Sequence, residues 1–153
     1  MANILIVDDE ESIRVLFREF LSDEVGYKVD VAGDASVAIR MLEGETFDVV
    51  VTDIILPKIT GIDLLKSIKK VSQNVQVILM TGEPTIETSF TAMRAGAFDF
   101  LVKPIDRESF CKAVANAAKV KAFDKKHQFF GEKEIHYQEN LELQMEEQTM
   151  ALR

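Results

Sequence analysis

ILIVDDEES, residues 4–12, decides the fold. Ile4–Val7 is a run of four apolar residues, the pattern of a strand buried on both faces of a parallel sheet. Asp8, Asp9, Glu10 and Glu11 follow it directly. A turn at this place that cradles a pyrophosphate is rich in glycine, and four acids would repel such a group. The residues beyond, ESIRVLFREFLSD, put Ile13, Leu16, Phe17, Phe20 and Leu21 on one helical stripe.

The same alternation runs on through the chain. Gly26 closes the first unit, and YKVDVA (27–32) alternates like a strand. A second helix starts at Asp34 or Ala35 and carries Val37, Ala38, Met41 and Leu42. FDVVVT (47–52) is the third strand, rich in β-branched residues. GIDLLKSIKK (61–70) is a helix with Ile62, Leu65 and Ile68 inward, and VQVILMT (75–81) is the fourth strand. TIETSFTAMRAG is a helix that Gly96 is placed to end. AFDFLVK (97–103) is the fifth strand, and Asp106 caps a helix bearing Phe110, Val114, Ala117 and Ala118.

Five strand–helix pairs predict an α/β, doubly wound sheet of parallel strands. Two topologies suit the length: the flavodoxin-like (βα)5 order 2-1-3-4-5 and a small Rossmann-like sheet. The acidic first turn disfavours the second.

In open α/β sheets the chemistry gathers where the strands end. Asp8 and Asp9 follow the first strand, Asp53 the third, Thr81 ends the fourth and Lys103 ends the fifth. Three carboxylates converging at one edge call for a cation, and hard oxygen ligands suit Mg2+ or Mn2+. Lys103 and the Thr81 hydroxyl would complete a phosphoryl pocket, leaving one carboxylate free to attack phosphorus. Each residue alone also fits a cap, a turn or a solvated lysine. The inference rests on all of them sharing one edge.

Composition narrows the function. The chain has 153 residues, 47% hydrophobic and 29% charged, with net charge −8. Residues 1–123 carry −5 (14 basic, 19 acidic) and residues 124–153 carry −3 (4 basic, 7 acidic). Neither part offers a basic face, so no direct nucleic-acid contact is expected. One cysteine, Cys111, allows no intrachain disulfide. No apolar run reaches the length of a membrane span, and a cytoplasmic location is expected.

ILIVDDE, VVVTDIILPKITGIDLL and LMTGEPTIETSFTAMRAGAFDFLVKPID, at these spacings, resemble a response-regulator receiver domain of two-component signalling. The resemblance covers about residues 2–123. It implies that Asp53 accepts a phosphoryl group from a phosphohistidine on a sensor kinase. Asp9 would ligate the metal directly, Asp8 through water or as a second ligand, and the Ile55 backbone carbonyl would complete the protein ligands. Thr81 and Lys103 would hold phosphoryl oxygens. The Lys103–Pro104 bond is expected to be cis, and Pro57 and Gly61 would shape the loop after Asp53. Phe100 matches the family's switch aromatic, coupled to Thr81 across the surface of the fourth helix, fifth strand and fifth helix. Alternation in AFDFLV puts Phe98, Phe100 and Val102 on one face, so a plain core role for Phe100 stays open. Ile55 and Glu83 stand where the family tunes phosphoryl lifetime. Such a domain is a switch that catalyses only its own phosphorylation and dephosphorylation, not an enzyme with a metabolite. The rival is a magnesium-dependent phosphatase or phosphotransferase with an aspartyl nucleophile. It fits less well, because such enzymes commonly use Asp-x-Asp after the first strand and carry a cap.

Residues 124–153 are dominated by helix formers, with Tyr137, Leu141, Met145 and Leu152 roughly on one face and Gly131 as a break. They resemble helical linkers that lead to output domains such as cyclic-dinucleotide phosphohydrolases or kinases. The expectation is a helical linker or coiled-coil segment, a possible homodimer through it or through the receiver surface, and a chain that is part of a longer regulator. His127 and His136 read as polar helix residues, and Cys111 as a small packing residue.

Overall fold

The structure is a computed structural model that describes residues 2–128, with side chains to residue 120. The chain divides into two units, Met1–Lys121 and Ala122–Arg153. The first holds five strands: β1 (Ala2–Val7), β2 (Tyr27–Ala32), β3 (Val49–Asp53), β4 (Gln76–Thr81) and β5 (Asp99–Val102). Between them run α1 (Glu11–Ser22), α2 (Ala35–Gly44), α3 (Gly61–Val71) and α4 (Ile86–Arg94). α5 (Arg107–Gln128) follows. The sheet order is β2-β1-β3-β4-β5 and every pairing is parallel, as the flavodoxin-like reading expects. The apolar seam, the hinge at Gly131 and His136 lie outside the described residues.

The three central strands are buried throughout or nearly so, which explains their unbroken apolar runs. Their side chains alternate between two layers. Leu5, Val7, Val50, Val77 and Leu79 pack toward α2, α3 and α4. Ile4, Ile6, Val49, Val51, Ile78 and Met80 pack toward α1 and α5. In the second layer Phe17 of α1 stacks on Phe110 of α5 at 4.6 Å between ring centres, with Phe20 tilted against both.

Four helices start on side-chain caps, among them the one at Asp106 that the sequence predicts. Asp34 accepts from the Val37 N–H, Thr60 and Asp63 form a reciprocal capping box, Thr85 accepts from the Thr88 N–H and Asp106 from the Ser109 N–H. α4 ends on Gly96 (φ +101), whose N–H reaches the Met93 carbonyl while the Ala97 N–H reaches Ala92.

Three sequence readings are corrected. Leu16 is 40% exposed, because it lies at the margin of the α1 stripe that Phe17 and Leu21 centre on. In α3 Leu65 and Ile68 are buried as read, but the third deep position is Leu64, fully buried, while Ile62 is only partly buried. Phe98 and Phe100 do not share a face: Phe98 packs on the α1/α5 layer and Phe100 on the other. β5 begins at Asp99, so Phe98 precedes the strand and its period-two alternation does not apply.

Candidate functional site

The switch in strand order falls between β1 and β3, and the acids stand where those strands end. Asp8 follows Val7 and is fully buried, and Asp53 is the last residue of β3 and 8% exposed. Each is held in the same way. Asp8 Oδ1 accepts from the Glu10 N–H at 3.0 Å, and Asp53 Oδ1 from the Ile55 N–H at 3.0 Å. Each points its Oδ2 at Lys103 Nζ, at 3.0 Å from Asp8 and 2.5 Å from Asp53. Asp9 is exposed, and one carboxylate oxygen from each of Asp8, Asp9 and Asp53 lies within 4.8 Å of the others.

Lys103 arrives from β5 along the cis Lys103–Pro104 bond, with its own N–H on the Thr81 carbonyl at 2.7 Å. Burial alone would lower the pKa of its ammonium. Hydrogen bonds to Asp53 and Asp8, and their charges, outweigh that and raise it above 10.5. Thr81 is 2% exposed, and its hydroxyl oxygen accepts from the Glu83 N–H at 3.1 Å. Glu83 itself is exposed, as is Ile55 at 61%. Phe100 is partly buried beside the α2/α3/α4 layer, paired in register with Leu79, while Thr81 pairs with Val102. The fold therefore brings Asp8, Asp9, Asp53 and Lys103 into one cluster, with Thr81 on the neighbouring strand end. It sets Phe100 two residues further down β5.

The loop after Asp53 depends on Gly61. A Cβ there would stand 2.2 Å from the Asp53 carbonyl oxygen, so only glycine lets α3 start this close to the strand. Arg14, which the sequence reading passed over, also belongs to this edge. Its Nη1 donates to the Asp8 carbonyl oxygen at 2.8 Å. The available signal is an arginine three residues beyond the acidic run, on an otherwise apolar stripe.

This geometry has a known counterpart, the response regulator receiver domain, whose family model matches residues 4–115. The chain belongs to that family. It is 33% identical over 116 residues to the DNA-binding transcriptional regulator NtrC of Azospirillum brasilense, covering 76% of this chain and 24% of the relative. The chain thus spans about a quarter of the length of the curated relatives it matches. Among solved structures, the beryllofluoride-activated NtrC4 receiver domain dimer superposes with a TM-score of 0.75 and 33% identity, covering 79% of this chain and 99% of that one. The signal receiver domain of an HD domain-containing protein from Pseudomonas fluorescens Pf-5 gives 0.76 and 28%, covering 82% and 92%. Receiver domains are signalling switches of two-component systems and generally bind magnesium. The donor set here fits such an ion: three hard carboxylate oxygens together, with a single lysine already shared by two of the acids.

Proposed function

We propose that Asp53 is the phosphoacceptor of this receiver, and that Asp8, Asp9, Thr81 and Lys103 serve it. The observation that carries this is the pair of buried carboxylates sharing one lysine at the β1/β3 switch point. A carboxylate oxygen of Asp53 forms the new P–O bond as the P–N bond of a kinase phosphohistidine breaks. Asp9, Asp8, Asp53 and the Ile55 carbonyl would hold Mg2+ or Mn2+. When bound, the ion stabilises negative charge on the transferring group. Lys103 then supplies a second positive charge to a phosphoryl oxygen, and the Thr81 hydroxyl a hydrogen bond. Ile55 and Glu83, exposed and donating their N–H groups to Asp53 and Thr81, would tune hydrolysis of the acyl phosphate.

The output surface would be α4, β5 and α5, with Thr81 and Phe100 as the coupled switch. Ile86, Phe90 and Met93 form an apolar stripe along α4, 90%, 62% and 51% exposed, and Val102 of β5 lies 50% exposed. So large an unburied stripe on one short helix supports a partner, another copy or an output domain. Residues 124–153 would act as the linker to that output, beyond a receiver of residues 1–123. One receiver that superposes here belongs to an HD domain-containing protein, which supports a receiver that controls a further domain. Among the described residues no helix is long and apolar enough to cross a membrane, which suits a cytoplasmic switch.

Incubation with magnesium and acetyl phosphate tests the chemistry. One phosphoryl mass should appear, vanish with Asp53→Asn and be blocked by EDTA. Equal labelling of Asp53→Asn would overturn the assignment. Fast, sustained phosphate release would favour the phosphatase reading instead. Light scattering of proteins ending at residues 123 and 153, with and without the phosphodonor, tests dimerisation. Identical monomers throughout would remove it.

A further inference from the structure

We propose that Arg14 is a positioning residue for the acidic loop and thereby sets the affinity of the site for a divalent cation. The proposal rests on the metal reading given above and adds a residue to it.

α1 differs from the other helices of the sheet in how it starts. Glu10 stands at its N-cap with no side-chain cap hydrogen bond, so the usual device for fixing the entering loop is missing. Arg14 takes its place. Its N–H donates to the Glu10 carbonyl at 3.1 Å, the first full helical bond. Its guanidinium then turns back and donates to the Asp8 carbonyl at 2.8 Å. The Asp8 carboxylate in turn accepts from the Glu10 N–H. These three bonds close a ring around Asp8, Asp9 and Glu10, with Asp9 inside it.

The ring is also tied to the next strand. The Asp8 N–H donates to the Ala32 carbonyl at 3.2 Å, and Gly33 follows Ala32. A Cβ at Gly33 would stand 3.3 Å from Arg14 Nη1, so the guanidinium lies against a bare Cα. Gly33 has no positive φ to require glycine there, which leaves room for the guanidinium as the reason on view. A charge-assisted bond from a planar, permanently charged group orients the loop better than water would. It also sets a positive charge against the stretch of chain that must gather carboxylates. Ordering the loop before the ion arrives removes part of the cost of binding it.

The test compares wild type, Arg14→Met, Arg14→Lys, Gly33→Val and, as a control on the metal itself, Asp9→Asn. Mg2+ binding is measured by calorimetry, and acetyl-phosphate labelling is followed across Mg2+ concentrations. Melting in EDTA reports on the metal-free fold. Arg14→Met should raise the half-saturating Mg2+ about tenfold and leave labelling at saturating Mg2+ within about twofold. Arg14→Lys should recover part of the loss. Gly33→Val, which leaves every acid in place but crowds the guanidinium, should shift Mg2+ in the same direction by less. If Arg14→Met and Gly33→Val bind Mg2+ as wild type does, the proposal is overturned, even should their metal-free melting fall. If wild type binds no Mg2+, or Asp9→Asn binds equally well, the metal reading fails first, and the two failures are told apart.

Discussion

The two edges of the sheet each bury aspartates at the ends of strands, and they use them differently. Asp48, just before β3, is 7% exposed, close to Asp53 at 8%. Its Oδ2 accepts from the Asn3 N–H at 2.8 Å, its own N–H donates to the Asn3 carbonyl, and its carbonyl accepts from the Gln76 N–H. Asp48 thus stitches β1, β3 and β4 together where they begin. At the other end, Asp8 and Asp53 each give one oxygen to the backbone and turn the second toward a shared lysine, with Asp9 beside them. Burial of an acid therefore does not mark a site. Crowding of acids around too little positive charge does.

The largest effect should come from closing the gap beneath the acidic edge. Gly61→Ala puts a methyl group on the Asp53 carbonyl, its carbon and the Ile54 Cα, all main-chain atoms that cannot swing away. Such overpacking should cost about 3 kcal/mol in urea unfolding and abolish labelling. Unchanged stability would mean that α3 can retreat from β3 freely.

At the quiet edge, Asp48→Ala leaves the Asn3 N–H without its carboxylate. It should cost about 2 kcal/mol by the same measurement. Yet the magnesium-induced rise in melting temperature and the labelling yield should stay as in wild type. A lost magnesium response would erase the contrast between the two edges.

The pH dependence isolates Lys103. Its pKa is raised in the folded protein above the ordinary 10.5, first against burial and then through its bonds to Asp53 and Asp8. The folded state thus binds the proton more tightly than the unfolded one. The stabilisation is complete below 10.5 and fades as pH rises through the folded value. Metal-free unfolding should lose stability above 10.5, and Lys103→Met should flatten that part of the curve. An unchanged alkaline limb in Lys103→Met would show that the lysine is not coupled to folding.

Asp9 should behave oppositely to Asp48. It is exposed and makes no salt bridge among the described residues, so it adds repulsion to Asp8 and Asp53. Asp9→Asn should stabilise the protein in EDTA by about 0.5–1 kcal/mol, in line with the modest worth of exposed charge pairs. It should also remove most of the magnesium-induced shift, which for a tightly held ion amounts to about 2–3 kcal/mol at 100-fold excess over the dissociation constant. Destabilisation in EDTA would indicate that Asp9 has a structural partner.

Much of this was legible from sequence. Apolar runs followed by acids placed Asp8, Asp9 and Asp53 at one edge, because strand ends in a parallel sheet point the same way. What escaped depended on three dimensions. Arg14 acts through a main-chain oxygen six residues back, a contact with no residue-type signature. Phe98 and Phe100 lie on opposite layers because β5 begins only at Asp99, where strand alternation in AFDFLV takes hold. Leu64 joins Leu65 and Ile68 in the core, with Ile62 left at the margin, because a helix stripe is wide enough for either flank to be buried.

The two edges also differ in how their turns handle left-handed backbone, and here the smallest effect is expected. Before β2 and before β5 the chain turns through Gly26 (φ +97) and Gly96 (φ +101), which carry no penalty. At the acidic edge the loop after Asp53 turns through Lys58 at φ +74, where a β-carbon costs about 1–2 kcal/mol. Asparagine enters this region more readily than lysine and, unlike glycine, adds little freedom to the unfolded chain. Lys58→Asn should therefore stabilise by about 0.5 kcal/mol, with Lys58→Gly nearer to neutral because its gain is offset in the unfolded state. Both should label at the wild-type rate if the strain is merely tolerated. If instead Lys58→Asn is more stable but labels more slowly, the strained turn contributes to holding Asp53 in its reactive position, and the difference between the edges extends from their charges to their backbones.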